Sequence, residues 1–229
     1  MWRRAEIVAA LLLGLTLAPV AARGHEALSL EEEFVKGLFS PSFTPPPAGT
    51  YELPPLKRVP AFVLRDDTGH RVSTERLTAG KVTVVSFIYT ACPERLGCPL
   101  ASLAMQSLQS RVREEGLASR VALLSISFDV GRDTPATLAK YARVYGADRS
   151  LWRFATAPSE QVLDGVLESY GQDRAPVYDE RGRFTGRYRH VLKVFLLVDP
   201  DGYIRNVYSA GFLVADLVVN DVKTVLMER

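Results

Sequence analysis

The chain has 229 residues, 47% hydrophobic and 24% charged, enough apolar content to fill one substantial core. Its 16 glycines and 14 prolines are ordinary counts, which excludes collagen-like and mostly disordered chains. A formal charge of +2 from 28 basic and 26 acidic side chains, spread along the sequence, argues against a nucleic-acid binder. Two cysteines rule out a disulfide-rich scaffold and any four-cysteine zinc or iron–sulfur site within one chain.

Residues 1–22 carry Arg3 and Arg4, then an apolar run from Ile7 to Leu17, then the small residues Val20, Ala21 and Ala22. That order is the pattern of a secretory signal peptide cleaved after Ala22. The run is short for a membrane span and Pro19 follows just beyond it, so an uncleaved anchor is only the alternative. No cysteine stands beside the cleavage point to take a lipid. Export places the mature chain in an oxidising compartment, where two cysteines either pair or hold a metal.

Residues 23–57 form an N-terminal extension. Ser29 with Glu32 three residues on resembles a capping box for a short helix carrying Leu30, Phe34, Val35 and Leu38. Pro41, Pro45, Pro46, Pro47, Pro54 and Pro55 then suit an extended arm, either a spacer wrapped on the domain or a partner-binding segment.

From Val59 the elements alternate. Ala61–Arg65 and Arg71–Ser73 flank the hairpin turn Asp66-Asp67-Thr68-Gly69. Lys81–Tyr89 is a β-branched and aromatic run expected of a strand buried on both faces. Leu100, Leu103, Leu108 and Val112 recur at helical spacing before Gly116, and Val121–Phe128 is a second buried strand. Thr134-Pro135 opens a helix with Leu138, Tyr141, Ala142 and Tyr145 on one face. Trp152–Ala155 is a short strand, and Pro158 begins a helix bearing Val162, Leu163, Val166, Leu167 and Tyr170. Arg189–Val198 and Tyr203–Tyr208 bracket the turn Asp199-Pro200-Asp201-Gly202, and a last helix carries Val214, Leu217, Val218, Val222 and Val225. This order predicts an α/β domain with a central mixed sheet flanked by helices over residues 58–229.

Cys92-Pro93-Glu94-Arg95-Leu96-Gly97-Cys98-Pro99 lies where the first buried strand hands over to a helix, a favoured position for sites in open α/β sheets. Pro99 at the first helical position would put Cys98 near the N-cap, where the helix dipole lowers a thiol pKa. Were the segment helical, the two sulfurs would stand about 240° apart around the axis, so joint action requires a loop. Pro93 and Gly97 favour one. A permanent disulfide across that loop is the purely structural alternative.

Three blocks together resemble the Sco/SenC family: Phe87-Ile88-Tyr89-Thr90-Ala91-Cys92-Pro93 through Cys98-Pro99; Ser127-Phe128-Asp129 with Arg132-Asp133-Thr134-Pro135; and His190 before Phe195-Leu196-Leu197-Val198-Asp199-Pro200-Asp201-Gly202. The resemblance spans about residues 58–227. It implies a thioredoxin-like fold, an extracytoplasmic (periplasmic) location, copper bound by Cys92, Cys98 and His190, and delivery of copper to, or reduction of, the copper centre of a respiratory oxidase. The family motif has three residues between its cysteines, whereas this chain has five.

Two thiolates and an imidazole are a soft set suited to Cu(I), and able to hold Cu(II) while the thiolates stay reduced; zinc would want a fourth ligand. The other histidines read differently: His25 as a residue of the mature terminus that could contribute to an amino-terminal copper site, His70 as a solvated turn neighbour. Asp129 ends a buried strand on the sheet edge expected for Cys92, where it could fix His190 or a loop amide, or cap the next turn. Arg132 and Asp133 read as ordering that turn. The competing function is a thiol-disulfide oxidoreductase using Cys92 and Cys98 without copper, with a thiol reductant as partner. A peroxidase is disfavoured because Tyr89 stands where that family has threonine. A non-catalytic interaction module using the Pro-rich arm is the third class, and membrane contact is expected only of an uncleaved leader.

Overall fold

The computed structural model describes residues 43–78, 80–94, 97–190, 195–209 and 212–228; of the side chains of His190 and residues 195–197 nothing is described. The leader, the helix expected after Ser29 and His25 lie outside the described residues.

The elements in chain order are β1 (Lys57–Arg58), β2 (Val63–Asp66), β3 (Arg71–Ser73), α1 (Thr74–Thr78), β4 (Val82–Ile88), α2 (Cys98–Glu114), β5 (Val121–Ser127), α3 (Pro135–Val144), β6 (Trp152–Thr156), α4 (Glu160–Tyr170), β7 (Arg174–Tyr178), β8 (Phe184–His190), β9 (Phe195–Val198), β10 (Tyr203–Tyr208) and α5 (Ala215–Met227). Eight strands form one sheet in the order β1-β10-β9-β4-β5-β6-β2-β3. β4, β5 and β6 run parallel, in register from Val82 opposite Val121 to Ile88 opposite Ser127, and the outer strands pair antiparallel. This is the mixed sheet with helices expected of a thioredoxin-like α/β domain.

Every residue of β4 and β5 is buried, as their continuous apolar runs require of central strands. The polar groups that enter the sheet are matched there: Ser86 and Ser125 share a hydrogen bond of 2.7 Å, and Trp152 Nε1 donates to Ser125 Oγ at 2.9 Å. α2 and α5 pack on each other and on β4, and Tyr170 at the end of α4 meets Phe87 of β4 at 5.3 Å between ring centroids. Thr134 caps α3 by accepting from Thr137 N at 3.2 Å. The helix expected from Pro158 begins at Glu160 instead, because Ser159 takes the cap position and accepts from Val162 N.

Residues 46–53 lie along α5. Asn220 donates to Pro46 O at 2.9 Å, Gly49 N donates to Thr224 Oγ1 at 2.9 Å, and Tyr51 donates its hydroxyl to Asp221. Burial and the Asp221 contact push the Tyr51 phenol up to about 12.

One sequence expectation is corrected. The expected strand Arg189–Val198 is divided between two sheets, Arg189 and His190 in β8 (Phe184–His190) and Phe195–Val198 in β9, with residues 191–194 outside the described residues. The first belongs to a separate two-stranded hairpin, β7–β8, in which Arg174 pairs His190 and Val177 pairs Arg187. Its turn is held by Asp179, whose Oδ1 accepts from Arg181 N and Arg183 N at 2.9 Å each, and Gly182 supplies the positive φ of 72°.

Candidate metal and thiol centre

The cysteine segment leaves the carboxyl end of β4 through two turns, Cys92 N to Tyr89 O at 3.3 Å and Gly97 N to Glu94 O at 2.9 Å. It is therefore the loop that joint action of two sulfurs six positions apart demands. Both cysteines carry thiols and not a disulfide; Cys92 is part-exposed, Cys98 buried. The thiols lie within hydrogen-bonding reach of each other, and Cys98 Sγ also accepts from Tyr89 N at 3.4 Å. A Cβ on Gly97 would stand 3.3 Å from Cys92 Sγ and 3.2 Å from Glu94 O, so glycine leaves that sulfur its room.

The expected cap position is corrected by one residue. Gly97 is the N-cap, Cys98 is the first residue of α2 and Pro99 the second. The expected lowering of the Cys98 pKa is reversed. Burial, then the neighbouring Cys92 sulfur, pushes the thiol well above the ordinary range, and the helix amides do not offset this.

The loop after β5 ties the neighbouring segments together. Asp133, fully buried, accepts from Thr90 N at 2.9 Å, Thr90 Oγ1 at 2.5 Å and Ser127 Oγ at 2.6 Å. It thus clamps the residue two before Cys92, a larger part than ordering its own turn. Asp129 is buried, with Oδ2 in no hydrogen bond among the described residues and Arg132 Nε at 3.7 Å. Burial and the charge of Asp133 raise its pKa, against the opposing Arg132. Arg174 donates to Phe128 O at 2.6 Å and lies 5.2 Å over the Tyr188 ring.

The hairpin docks on this same end of the sheet. Tyr188 of β8 meets Tyr89 at 5.7 Å and Phe128 at 6.0 Å, both near-perpendicular; His190 follows two residues later in β8, paired with Arg174. Among the described residues, no three His, Cys, Asp or Glu side chains are grouped to hold a metal ion. His70 is exposed, with Nδ1 2.8 Å from Thr68 Oγ1 in the first hairpin, as expected of a surface histidine. The sequence reading missed the Tyr89–Tyr188 packing because it missed the hairpin; the Asp179-to-Gly182 turn was the available signal.

A mixed sheet with a cysteine pair at the end of a central parallel strand defines a thioredoxin-like thiol protein. The SCO1/SenC family model matches residues 52–227, and the chain belongs to that family. It is 30% identical over 168 residues to the SCO1 protein homolog of Bacillus subtilis, covering 72% of this chain and 81% of that one. Among solved structures, BsSco, a member of the Sco family of cytochrome c oxidase assembly proteins in which a disulfide switch has been identified, aligns with TM-score 0.61 and 28% identity over 79% of this chain and 100% of its own. Arabidopsis thaliana ScoI with copper bound aligns with TM-score 0.60 and 24% identity over 75% and 99%. No helix of the described residues is long and apolar enough to cross a membrane.

Proposed function

We propose that this chain is an extracytoplasmic copper-binding protein that delivers copper to, or matures the copper centre of, a respiratory oxidase, with Cys92, Cys98 and His190 as ligands. The observation that carries the reading is the pair of thiols brought together at the end of β4, with Cys98 buried and Cys92 part-exposed. Soft sulfur donors of this kind, completed by one imidazole, select Cu(I) over harder divalent ions. Five residues between the cysteines do not prevent their approach, since the loop closes on itself through the Glu94–Gly97 turn. Support for copper and oxidase assembly comes from family membership and from what the relatives are recorded to bind and assemble. Export rests on the leader pattern of residues 1–22, and release or anchoring on whether that leader is cleaved.

In this reading Cys92 is the sulfur a partner reaches first, and Cys98 is the sheltered one. His190 supplies the imidazole, and Asp129 keeps His190 or a loop amide in place. The test is copper stoichiometry and competition affinity of the reduced chain and of Cys92→Ser, Cys98→Ser and His190→Ala, with thiol counts on the same samples. All three variants should bind copper far more weakly, while His190→Ala still forms its disulfide. A reduced wild type that takes up no copper would overturn the reading. The second reading, thiol-disulfide exchange without copper, is favoured by the same contact between thiols and would then stand.

A further inference from the structure

Beside the cysteine loop lies a groove of about 360 Å³ lined by Tyr89, Pro93, Glu94, Val177, Arg187, Tyr188 and Arg189. Its far wall is the β7–β8 hairpin, through Val177, Arg187, Tyr188 and Arg189. Tyr188 packs inward onto Tyr89 and Phe128, while Arg187 and Arg189, before and after it in the strand, are exposed and line the same groove. Neither arginine joins an ion pair among the described residues, in contrast to Arg183, which bonds Asp179 at 3.0 Å, and Arg174, which bonds Glu160. Glu94 is the one acidic group of the lining. The groove thus presents two guanidinium groups, in no ion pair among the described residues, to whatever approaches the exposed edge of the cysteine loop.

We propose that Arg187 and Arg189 form the docking face for a partner protein that carries carboxylates around its own disulfide, and that they steer a sulfur of that disulfide to attack by the Cys92 thiolate, with the partner's other sulfur leaving as the thiolate. The proposal rests on Cys92 being the reacting sulfur, and it adds the charge of the partner's surface. Chains of opposite charge meet faster than neutral ones, and the gain is screened by salt over about 8–10 Å. Arginine suits the task because its planar fork takes a carboxylate through two parallel hydrogen bonds.

The probe is the full reduced chain reacting with short cysteine peptides, each presented as a mixed disulfide with 2-nitro-5-thiobenzoate. The Cys92 thiolate attacks the peptide sulfur, the peptide–aryl disulfide breaks, a peptide–Cys92 disulfide forms, and the coloured aryl thiolate leaves with the electron pair. Cys98 then attacks Cys92, losing its proton to solvent and releasing the peptide thiol. Peptides flanked by glutamates, by glycines and by lysines are compared at low ionic strength. The glutamate peptide should react at least about tenfold faster than the lysine peptide, with the ratio collapsing towards one at high salt. The double change Arg187→Gln with Arg189→Gln should abolish most of the ratio, and lysine at both positions should restore much of it. Changing the exposed Arg65 and Arg71 to Gln alters net charge equally and should leave the ratio in place.

No reaction of Cys92 even with the glycine peptide would defeat the accessible-sulfur reading itself. Reaction without charge discrimination, or equal loss of the ratio in the Arg65 and Arg71 control, would defeat the docking face alone. Binding to phosphatidylglycerol vesicles that the Arg187 and Arg189 changes abolish, with peptide rates unmoved, would assign the face to lipid headgroups and overturn the proposal.

Discussion

Asp133 and Thr90 join the two loops at the carboxyl ends of adjacent parallel strands: both oxygens of the buried carboxylate hold Thr90, one through its amide at 2.9 Å and the other through its hydroxyl at 2.5 Å. Thr90 stands two residues before Cys92, so the clamp sets where the cysteine loop starts. Replacing Asp133 by alanine leaves Thr90 N and Ser127 Oγ without their acceptor inside the protein. The expected cost is about 2–4 kcal/mol, from loss of hydrogen bonds to a charged group. Thermal unfolding should register the loss, and alkylation of Cys92 in the still-folded protein should change in rate. Unchanged stability and unchanged rate together would show that the clamp has no such part.

Gly186 makes a second tie, between the hairpin and the loop after β5. Its φ is +76°, and a Cβ there would collide with the guanidinium of Arg132. Gly186→Ala should therefore cost about 1–3 kcal/mol from the left-handed backbone alone, and more if Arg132 is displaced from Asp129. Arg132→Ala removes the collision but not the backbone penalty. A double-mutant cycle in urea should show coupling between positions 132 and 186, and strict additivity would mean that they do not meet.

The central strands were legible in the sequence because their burial on both faces leaves an unbroken apolar run, as in Val82–Ile88. Thr134 and Pro135 announced α3 because a cap and a fixed φ act locally. The β7–β8 hairpin was not legible as readily: its strand Phe184–His190 is mostly arginine and aromatic, and what orders it is packing of Tyr188 on rings distant in sequence. Arg189 and His190 were accordingly read as part of the next strand, Arg189–Val198, when they pair with Ala175 and Arg174 in this hairpin. The cysteine loop was readable from its prolines and glycine. The direction of the Cys98 shift was not, since the helix end is visible in sequence but the depth of burial that outweighs it is a property of the assembled core.

The first hairpin carries an acid-sensitive contact. Asp66 Oδ1 accepts from Thr68 N at 2.9 Å and His70 N at 3.0 Å, and Oδ2 meets Arg153 at 2.6 Å. Burial alone would raise this carboxyl, but the bonds from Thr68 and His70 and the charge of Arg153 outweigh it and hold the pKa below the usual range. A folded pKa below the unfolded one means stability that is present above about pH 4 and lost as pH falls through the lower, folded value. Asp66→Asn should lower stability by about 1–3 kcal/mol at neutral pH, with the gap to wild type narrowing in acid. Urea unfolding of both proteins from neutral pH into the acid range measures the gap. A gap that stays constant would show that the charge of Asp66 contributes nothing.

The two thiols should differ in reactivity in a way that separates burial from the helix dipole. Cys92 is part-exposed; Cys98 is 1% exposed at the first position of α2. Alkylation attacks the thiolate, so its rate follows both access and ionisation. Iodoacetamide at neutral pH should modify Cys92 first, with mass mapping placing the label. In Cys92→Ser the remaining Cys98 loses a neighbouring sulfur that raised its pKa, but burial, the larger cause, remains. Its alkylation should therefore be at least about tenfold slower than that of an ordinary exposed thiol, since both ionisation and access are reduced. The rate should keep rising with pH beyond the range of about 8–9 where a free thiol levels off. A plateau below that range in the variant would mean that the amides at the start of α2 outweigh burial after all. Cys98 would then be the activated sulfur, and the order of attack at this centre would be reversed.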